Sequence, residues 1–283
     1  MFEKVLLATD LSPAYDKLTQ CIVELKEIGT KEIVLVWVVD VEKASLSAGD
    51  VRDQHLKKLE VRGKELEKTG LSVTYEAPIG LPSQEIGRAA HEKGLDLIVM
   101  GSRGERKMRD MLIGSTTANV IRLSRKPILV ERIDLGDKLD SESYMLVCKR
   151  KFKSILLATD FSENAREAES VALELASKAE KMVIVSVAET RGDSDGSSPA
   201  LAKDKIKLDK LKQSFSERCD HVVVRLEEGI ASDNINRIAD EEDITLIVIG
   251  KKGKGGIKEL LLGSTAESVA RRSNKPVLLV PSR

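Results

Sequence analysis

The chain has 283 residues, enough for one large domain or two of ordinary size, and its 46 basic and 46 acidic side chains leave no net charge. A balanced chain lacks the positive excess that a phosphate backbone selects, so DNA and RNA are not expected partners. The charged residues, 33% of the chain, lie mostly on helix-like stretches and read as solvated surface, with a weak thermophile signature.

The first half opens on Val5–Asp10, an apolar, β-branched run that reads as a strand buried on both faces. A helix follows over Ala14–Ile28, with Ser12 placed to cap it. Then come a strand at Glu32–Val39, a longer helix over about 51–69, a strand at Ser72–Ala77, a helix at Ser83–Lys93, a strand at Leu95–Met100, a helix at Ser115–Ser124 and a strand at Pro127–Arg132. Asp134–Lys151 is polar with a short apolar patch at Tyr144–Cys148, and it reads as a linker. The second half runs strand Ile155–Asp160, helix Ala165–Lys181 behind Ser162, strand Val183–Val187, helix over about 200–217, strand His221–Leu226, helix Ser232–Glu241, strand Leu246–Ile249, helix Ser264–Arg272 and strand Pro276–Val280. Arg191–Pro199, rich in Gly, Ser and Asp, is expected to be a loop.

The two series are copies of one another. FEKVLLATDLS at Phe2–Ser12 returns as FKSILLATDFS at Phe152–Ser162, and LIVMG at Leu97–Gly101 returns as LIVIG at Leu246–Gly250. GST at Gly114–Thr116 returns at Gly263–Thr265, and KPILV from Lys126 as KPVLL from Lys275. Four collinear matches establish a tandem duplication. Strands separated by helices run parallel, because each crossover carries the chain back across a face of the sheet. The fold class is therefore α/β, with two tandem Rossmann-like domains, each a five-stranded parallel sheet with four helices. Domain 1 is expected over 1–133, the linker over 134–151 and domain 2 over 152–283.

Three cysteines, Cys21, Cys148 and Cys219, odd in number and widely spaced, suggest neither a disulfide framework nor a zinc site and favour a reducing cytoplasm. The opening MFEKVLLATD is too short for a signal peptide or a membrane span, and no later run reaches that length, so no membrane partner is expected. His55, His91 and His221 have no spacing suited to one metal site, and Trp37 reads as core.

In an open parallel sheet a ligand sits beyond the carboxyl ends of the strands, where the winding reverses. Asp10 and Asp160 stand at the first-strand ends. Gly101-Ser102-Arg103-Gly104 and Gly250-Lys251-Lys252-Gly253 follow the fourth strands, and Gly114-Ser115-Thr116 and Gly263-Ser264-Thr265 open the last helices. Glycine lets backbone amides approach a phosphate, and a helix N-terminus offers unpaired N–H groups with partial positive charge. Each residue also has a plainer reading: the glycines as tight turns, Ser115 and Ser264 as caps, Asp10 and Asp160 as caps of the helix that follows.

The spacing Gly-x2-Gly, nine residues, then Gly-Ser, together with Ala8-Thr9-Asp10 and Ala158-Thr159-Asp160, closely resembles the nucleotide-binding class of universal stress proteins, the UspA-like family. The resemblance covers both halves. It implies an adenine nucleotide, ATP or AMP, as cofactor, with magnesium as an optional companion, and a regulatory role in the stress response. By the same resemblance Ala8, Asp10, Ala158 and Asp160 border the nucleoside, the backbones of Val38 and Val187 bond adenine, and Gly80 and Gly229 line the nucleoside. Met100, Gly101, Arg103 and Gly104, with Ile249, Gly250, Lys252 and Gly253, frame the ribose and first phosphate. Gly114, Ser115, Thr116, Gly263, Ser264 and Thr265 hold the outer phosphates. Related tandem proteins pair their last strands into an internal pseudo-dimer, which would cover Ile128–Arg132 and Val277–Pro281, and a homodimer is expected.

The nine-residue inserts differ: Glu105 begins the first, whereas Lys254-Gly255-Gly256 begins the second, so the second is expected to be the more open to phosphate and the two sites unequal. A slow ATPase or phosphotransferase is the alternative, as is a structural protein with a degenerate site. An enzyme needs a group orienting the nucleophile and an acid holding metal near the outer phosphate. No convincing candidate for either stands out. No Gly-x4-Gly-Lys-Ser/Thr loop, His-x-Gly-His or Ser-Gly-Gly-x-Asp-Ser pattern occurs.

Overall fold

Each half begins with a strand of uninterrupted apolar residues because that strand becomes the centre of a sheet covered on both faces. In the computed structural model, which describes residues 1–11, 14–42, 47–102, 113–132, 150–188, 199–254 and 262–282, the chain divides into two units, Met1–Lys149 and Arg150–Arg283.

Unit 1 contains β1 (Lys4–Ala8), α1 (Ala14–Val23) continued by a 3-10 turn at Glu24–Ile28, β2 (Glu32–Val36), β3 (Val39–Asp40), α2 (Ala48–Glu67), β4 (Ser72–Glu76), β5 (Ile79–Gly80), α3 (Pro82–Glu92), β6 (Leu97–Gly101), α4 (Ser115–Leu123) and β7 (Ile128–Glu131). Its main sheet has the order β4-β2-β1-β6-β7, every pair parallel. Unit 2 contains β8 (Ser154–Ala158), a 3-10 turn at Glu163–Ala165, α5 (Arg166–Ala176), β9 (Lys181–Ala188), α6 (Pro199–Ser216), β10 (Val222–Glu228), α7 (Ala231–Glu241), β11 (Leu246–Gly250), α8 (Ser264–Arg272) and β12 (Val277–Val280). Its order, β10-β9-β8-β11-β12, is again all parallel. Each unit is thus the five-stranded parallel sheet that alternating strands and helices predict.

The cores follow from the sequence pattern. Val5, Leu6 and Leu7 of β1 and Ile155, Leu156 and Leu157 of β8 are fully buried. Each such side chain contributes about 1.5–3 kcal/mol. α8 turns Ala266, Val269 and Ala270 inward and pairs Arg271 with Glu267 on its outer side, the i, i+3, i+4 spacing of a one-sided helix. Register is set at the foot of each sheet by matching clamps. The Lys4 N–H donates to Asp96 Oδ2 and the Asp96 N–H to the Lys4 carbonyl, 3.0 and 2.8 Å. Thr245 does the same for Ser154, its Oγ1 accepting from the Ser154 N–H and its N–H donating to the Ser154 carbonyl.

Two element boundaries differ from expectation. The strand expected at Glu32–Val39 breaks after Val36 and resumes as β3, which pairs with β5 in a separate two-stranded sheet. The Trp37 N–H still donates to Glu76, but Pro78 has no N–H to return and only its carbonyl is used, by Val39. In unit 2 Glu227 stands where Pro78 would, and β9 and β10 run through without a break, Val187 pairing with Glu227. The helix expected over Ala165–Lys181 ends at Ala176, where the Lys178 and Ala179 amides turn back onto Leu175 and Ala176. No Gly or Pro marks that stop.

Cys219 is a buried free thiol, whereas Cys21, on α1, is disulfide-bonded. Cysteines far apart in sequence gave no sign of that bond. No helix among the described residues is long and apolar enough to cross a membrane.

Candidate functional site

In both units the winding reverses beside the first strand: β2 and β4 lie on one side of β1 and β6 and β7 on the other, as β9 and β10 lie opposite β11 and β12 about β8. The crevice therefore opens above β1 and β6 in unit 1 and above β8 and β11 in unit 2.

In unit 2 the chain leaves β8 through a sharp turn. The Thr159 N–H donates to the Val185 carbonyl, its Oγ1 accepts from the Phe161 N–H at 3.0 Å and donates to the Glu169 carboxylate, and Phe161 takes φ +57°. That turn lifts Asp160 over the loop leaving β11. Asp160 Oδ1 accepts from the Ser162 N–H at 2.9 Å, and Oδ2 from the Lys254 N–H at 2.6 Å. Ser162 caps the following turn through the Ala165 N–H, as its position predicts. Gly250 and Gly253 are needed for close approach. A Cβ at 253 would stand 2.5 Å from Asp160 Oδ2, and one at 250 would stand 3.2 Å from the Lys252 carbonyl and 3.4 Å from that of Asn164. The loop closes on itself where the Gly263 N–H donates to the Lys251 carbonyl, 2.7 Å.

Gly263 is the N-cap of α8 and supplies no side-chain cap. Ser264 is the first residue inside the helix, and it is exposed, with Thr265 half-buried. It is therefore not a cap, and among the described residues the first turn of α8 has no side-chain cap, the condition under which a helix N-terminus takes an anion. Unit 1 repeats this. Gly114 is the uncapped N-cap of α4, Ser115 is exposed, Thr116 half-buried, and the Gly114 N–H donates to Ser102. Leu11 takes φ +49° with its N–H on Thr9 Oγ1. Thr117 Oγ1 donates to the Gly101 carbonyl, 2.9 Å, a fastening that Ala266 in unit 2 cannot make. Arg103 and Gly104 lie outside the described residues, as do residues 105–112 and 255–261, so the expected contrast between the inserts does too.

At the other end of each crevice the backbone presents a paired donor and acceptor. The Val36 carbonyl accepts from Thr9 on the β1 side, and the Trp37 N–H donates to Glu76 on the β4 side. Strand alternation then directs both main-chain groups of Val38 to the β1 side, beyond the end of that strand at Ala8. The Val185 carbonyl accepts from Thr159 and the Ala188 carbonyl from Gly229, so Val187 is directed likewise past Ala158. Ala8, Ala158, Met100 and Ile249 are buried beneath these ends. Gly80 is crowded by Glu85, whose Cγ would lie 2.6 Å from a Cβ, and Gly229 takes φ +111° beside Asn234, which donates to the Glu228 carbonyl.

Two features escaped the sequence reading. The Trp37 ring stacks on His55, centroids 3.5 Å apart and 6° from parallel, with Lys58 Nζ 5.7 Å from the Trp37 ring centroid. Burial holds His55 below the ordinary imidazole value, and the Lys58 charge adds to that against a hydrogen bond with the Trp37 backbone. Lys251, between the two loop glycines, is buried, and desolvation with the Lys252 charge brings its ammonium down to about 8. The spacing of His55 from Trp37 carries no local signal, and Lys251 reads in sequence as one more surface lysine. Among the described residues no group of three His, Cys, Asp or Glu side chains could hold a metal.

Sheet order and strand direction together define a tandem Rossmann-type protein with one switch-point crevice per unit. The universal stress protein family model matches residues 1–132 and 151–281, and the chain belongs to that family. It is 30% identical over 153 residues to a universal stress protein of Methanocaldococcus jannaschii, covering 46% of this chain and 94% of that one. It is 30% identical over 148 residues to one of Bacillus subtilis, covering 47% and 100%. The crystal structure of a universal stress protein from Archaeoglobus fulgidus superposes with a TM-score of 0.76 at 27% identity, covering 99% of this chain and 96% of that one.

Proposed function

We propose that each unit binds one adenine nucleotide and that the chain is a regulatory stress-response protein whose conformation or partner choice the nucleotide sets. The observation that carries this reading is the convergence, at one switch point, of a main-chain donor and acceptor at Val38 or Val187 with an uncapped, glycine-led helix N-terminus at Ser115 or Ser264. A backbone N–H and C=O pair matches the edge of adenine, and the helix end matches phosphate. Asp10 and Asp160, at the strand ends between them, border the nucleoside; Asp160 has the further task of holding the loop after β11. Gly101, Gly250, Lys252 and Gly253 frame the first phosphate in this reading, with Gly80 and Gly229 along the nucleoside. The two sites bind unequally, and ATP and AMP are the candidate ligands, with or without magnesium. Internal pairing of the units, a homodimer and a cytoplasmic location belong to the same proposal.

Identification of the nucleotide that copurifies with the protein, followed by calorimetric titration, tests it. Two binding events of different affinity are expected. A chain with an intact circular dichroism spectrum that binds neither ATP nor AMP would refute it.

A further inference from the structure

A set of charges crosses the mouth of the unit 2 crevice, and unit 1 has different residues in its place. Asp204 and Lys207 stand on the first half of α6. Lys207 Nζ lies 5.1 Å from the Phe161 ring centroid and 3.1 Å from Asp204 Oδ1. Asp204 Oδ2 lies 3.9 Å from Lys254 Nζ, and the Lys254 N–H is the one that donates to Asp160. The Asp204 side chain is only 15% exposed, while that of Lys207 is 46% exposed. Helix α6, the turn after β8 and the loop after β11 are thereby joined at one point beside the crevice. In unit 1 the corresponding helix positions are His55 and Lys58, which close on Trp37 instead.

The charge differs with the geometry. The strand ends, loop and helix around the unit 2 crevice carry Lys207, Lys251, Lys252 and Lys254 against Asp160 and Asp204 in sequence. The same sequence positions in unit 1 give Lys58 and Arg103 against Asp10 and Glu105, with His55 and Ser102 uncharged. Asp204 thus sits between two ammonium groups, Lys207 and Lys254, where a phosphate oxygen would be equally well received.

We propose that Asp204 and Lys207 form a helix-borne charge clamp that makes the unit 2 site selective for a nucleotide with a polyphosphate tail over the monophosphate. The inference rests on the nucleotide reading above and goes beyond it in naming which site discriminates and by what. A β- and γ-phosphate bring the added negative charge that displaces Asp204 from Lys207 and Lys254. A monophosphate brings too little to compete with a carboxylate already in place. Unit 1, whose helix has no carboxylate at these positions and turns His55 and Lys58 onto Trp37, does not discriminate in this way.

The test is calorimetric titration of the full chain with ATP and with AMP, in the wild type, Lys207→Ala, Lys207→Arg and Asp204→Asn. Trp37, the one tryptophan of the chain, reports unit 1 binding separately by fluorescence. Lys207→Ala is expected to weaken ATP at one site by about five- to tenfold and AMP by less than about twofold. Lys207→Arg retains the preference, Asp204→Asn strengthens ATP binding at the same site, and the Trp37 titration is unchanged. Equal losses for ATP and AMP, or no loss for either, overturn the clamp while leaving the nucleotide reading intact. Failure of the wild type to bind any nucleotide overturns both.

Discussion

Alanine at Gly253 places a methyl group 2.5 Å from Asp160 Oδ2, so either the carboxylate or the loop must move and the Lys254 N–H loses its acceptor. Gly253→Ala is expected to weaken nucleotide binding at unit 2 by about tenfold, the cost of one charge-assisted hydrogen bond, read by calorimetry against an unchanged Trp37 fluorescence titration. Asp243 takes φ +50° where Gly94 of unit 1 takes φ +62°. Asp243→Gly relieves a left-handed aspartate and is expected to raise stability by ~0.5 kcal/mol after the entropy glycine adds to the unfolded chain, measured by urea unfolding. His55 has its folded value lowered from 6.5, chiefly by burial. Its unfolded form therefore takes up a proton first as pH falls, and the stability it contributes is present above the unfolded value and lost as pH drops through the folded one. Lowering pH from about 7 to about 5 should destabilise the wild type more than His55→Phe, and Trp37 fluorescence follows the change directly.

At the scale of elements, β1 and β8 bury their whole apolar run and end beneath the crevice. Leu157→Ala is expected to cost about 2–5 kcal/mol in urea unfolding, because a cavity between two helix-covered faces cannot collapse. The strands and helices were almost all legible, since their apolar spacing is a local property. The two boundaries that were not legible have non-local causes. Pro78 interrupts β2 because it sits on the neighbouring strand and withholds an N–H from it, while Glu227 in the same place lets β9 and β10 continue. α5 stops at Ala176 because Lys181 is already paired with Ser154, a demand of the sheet rather than of the helix.

For the whole molecule, the two units each have their own parallel sheet and buried core. Residues 1–149 and 150–283 produced separately are each expected to unfold cooperatively by circular dichroism, as a domain with its own core does; a non-cooperative melt of either would count against independent domains. The sequence by itself determined the duplication, the α/β alternation and the positions of the glycines and serines at strand and helix ends, because repeats, apolar period and turn residues are written along the chain. Tertiary structure alone decided what those residues touch. It put Asp160 on the Lys254 amide, made Ser264 an exposed first-turn residue rather than a cap, stacked His55 on Trp37, buried Lys251 and brought Asp204 to Lys254. Each of these contacts joins residues whose separation in sequence carries no periodic signal, and their proximity is fixed only when the parallel sheet sets its strand ends side by side.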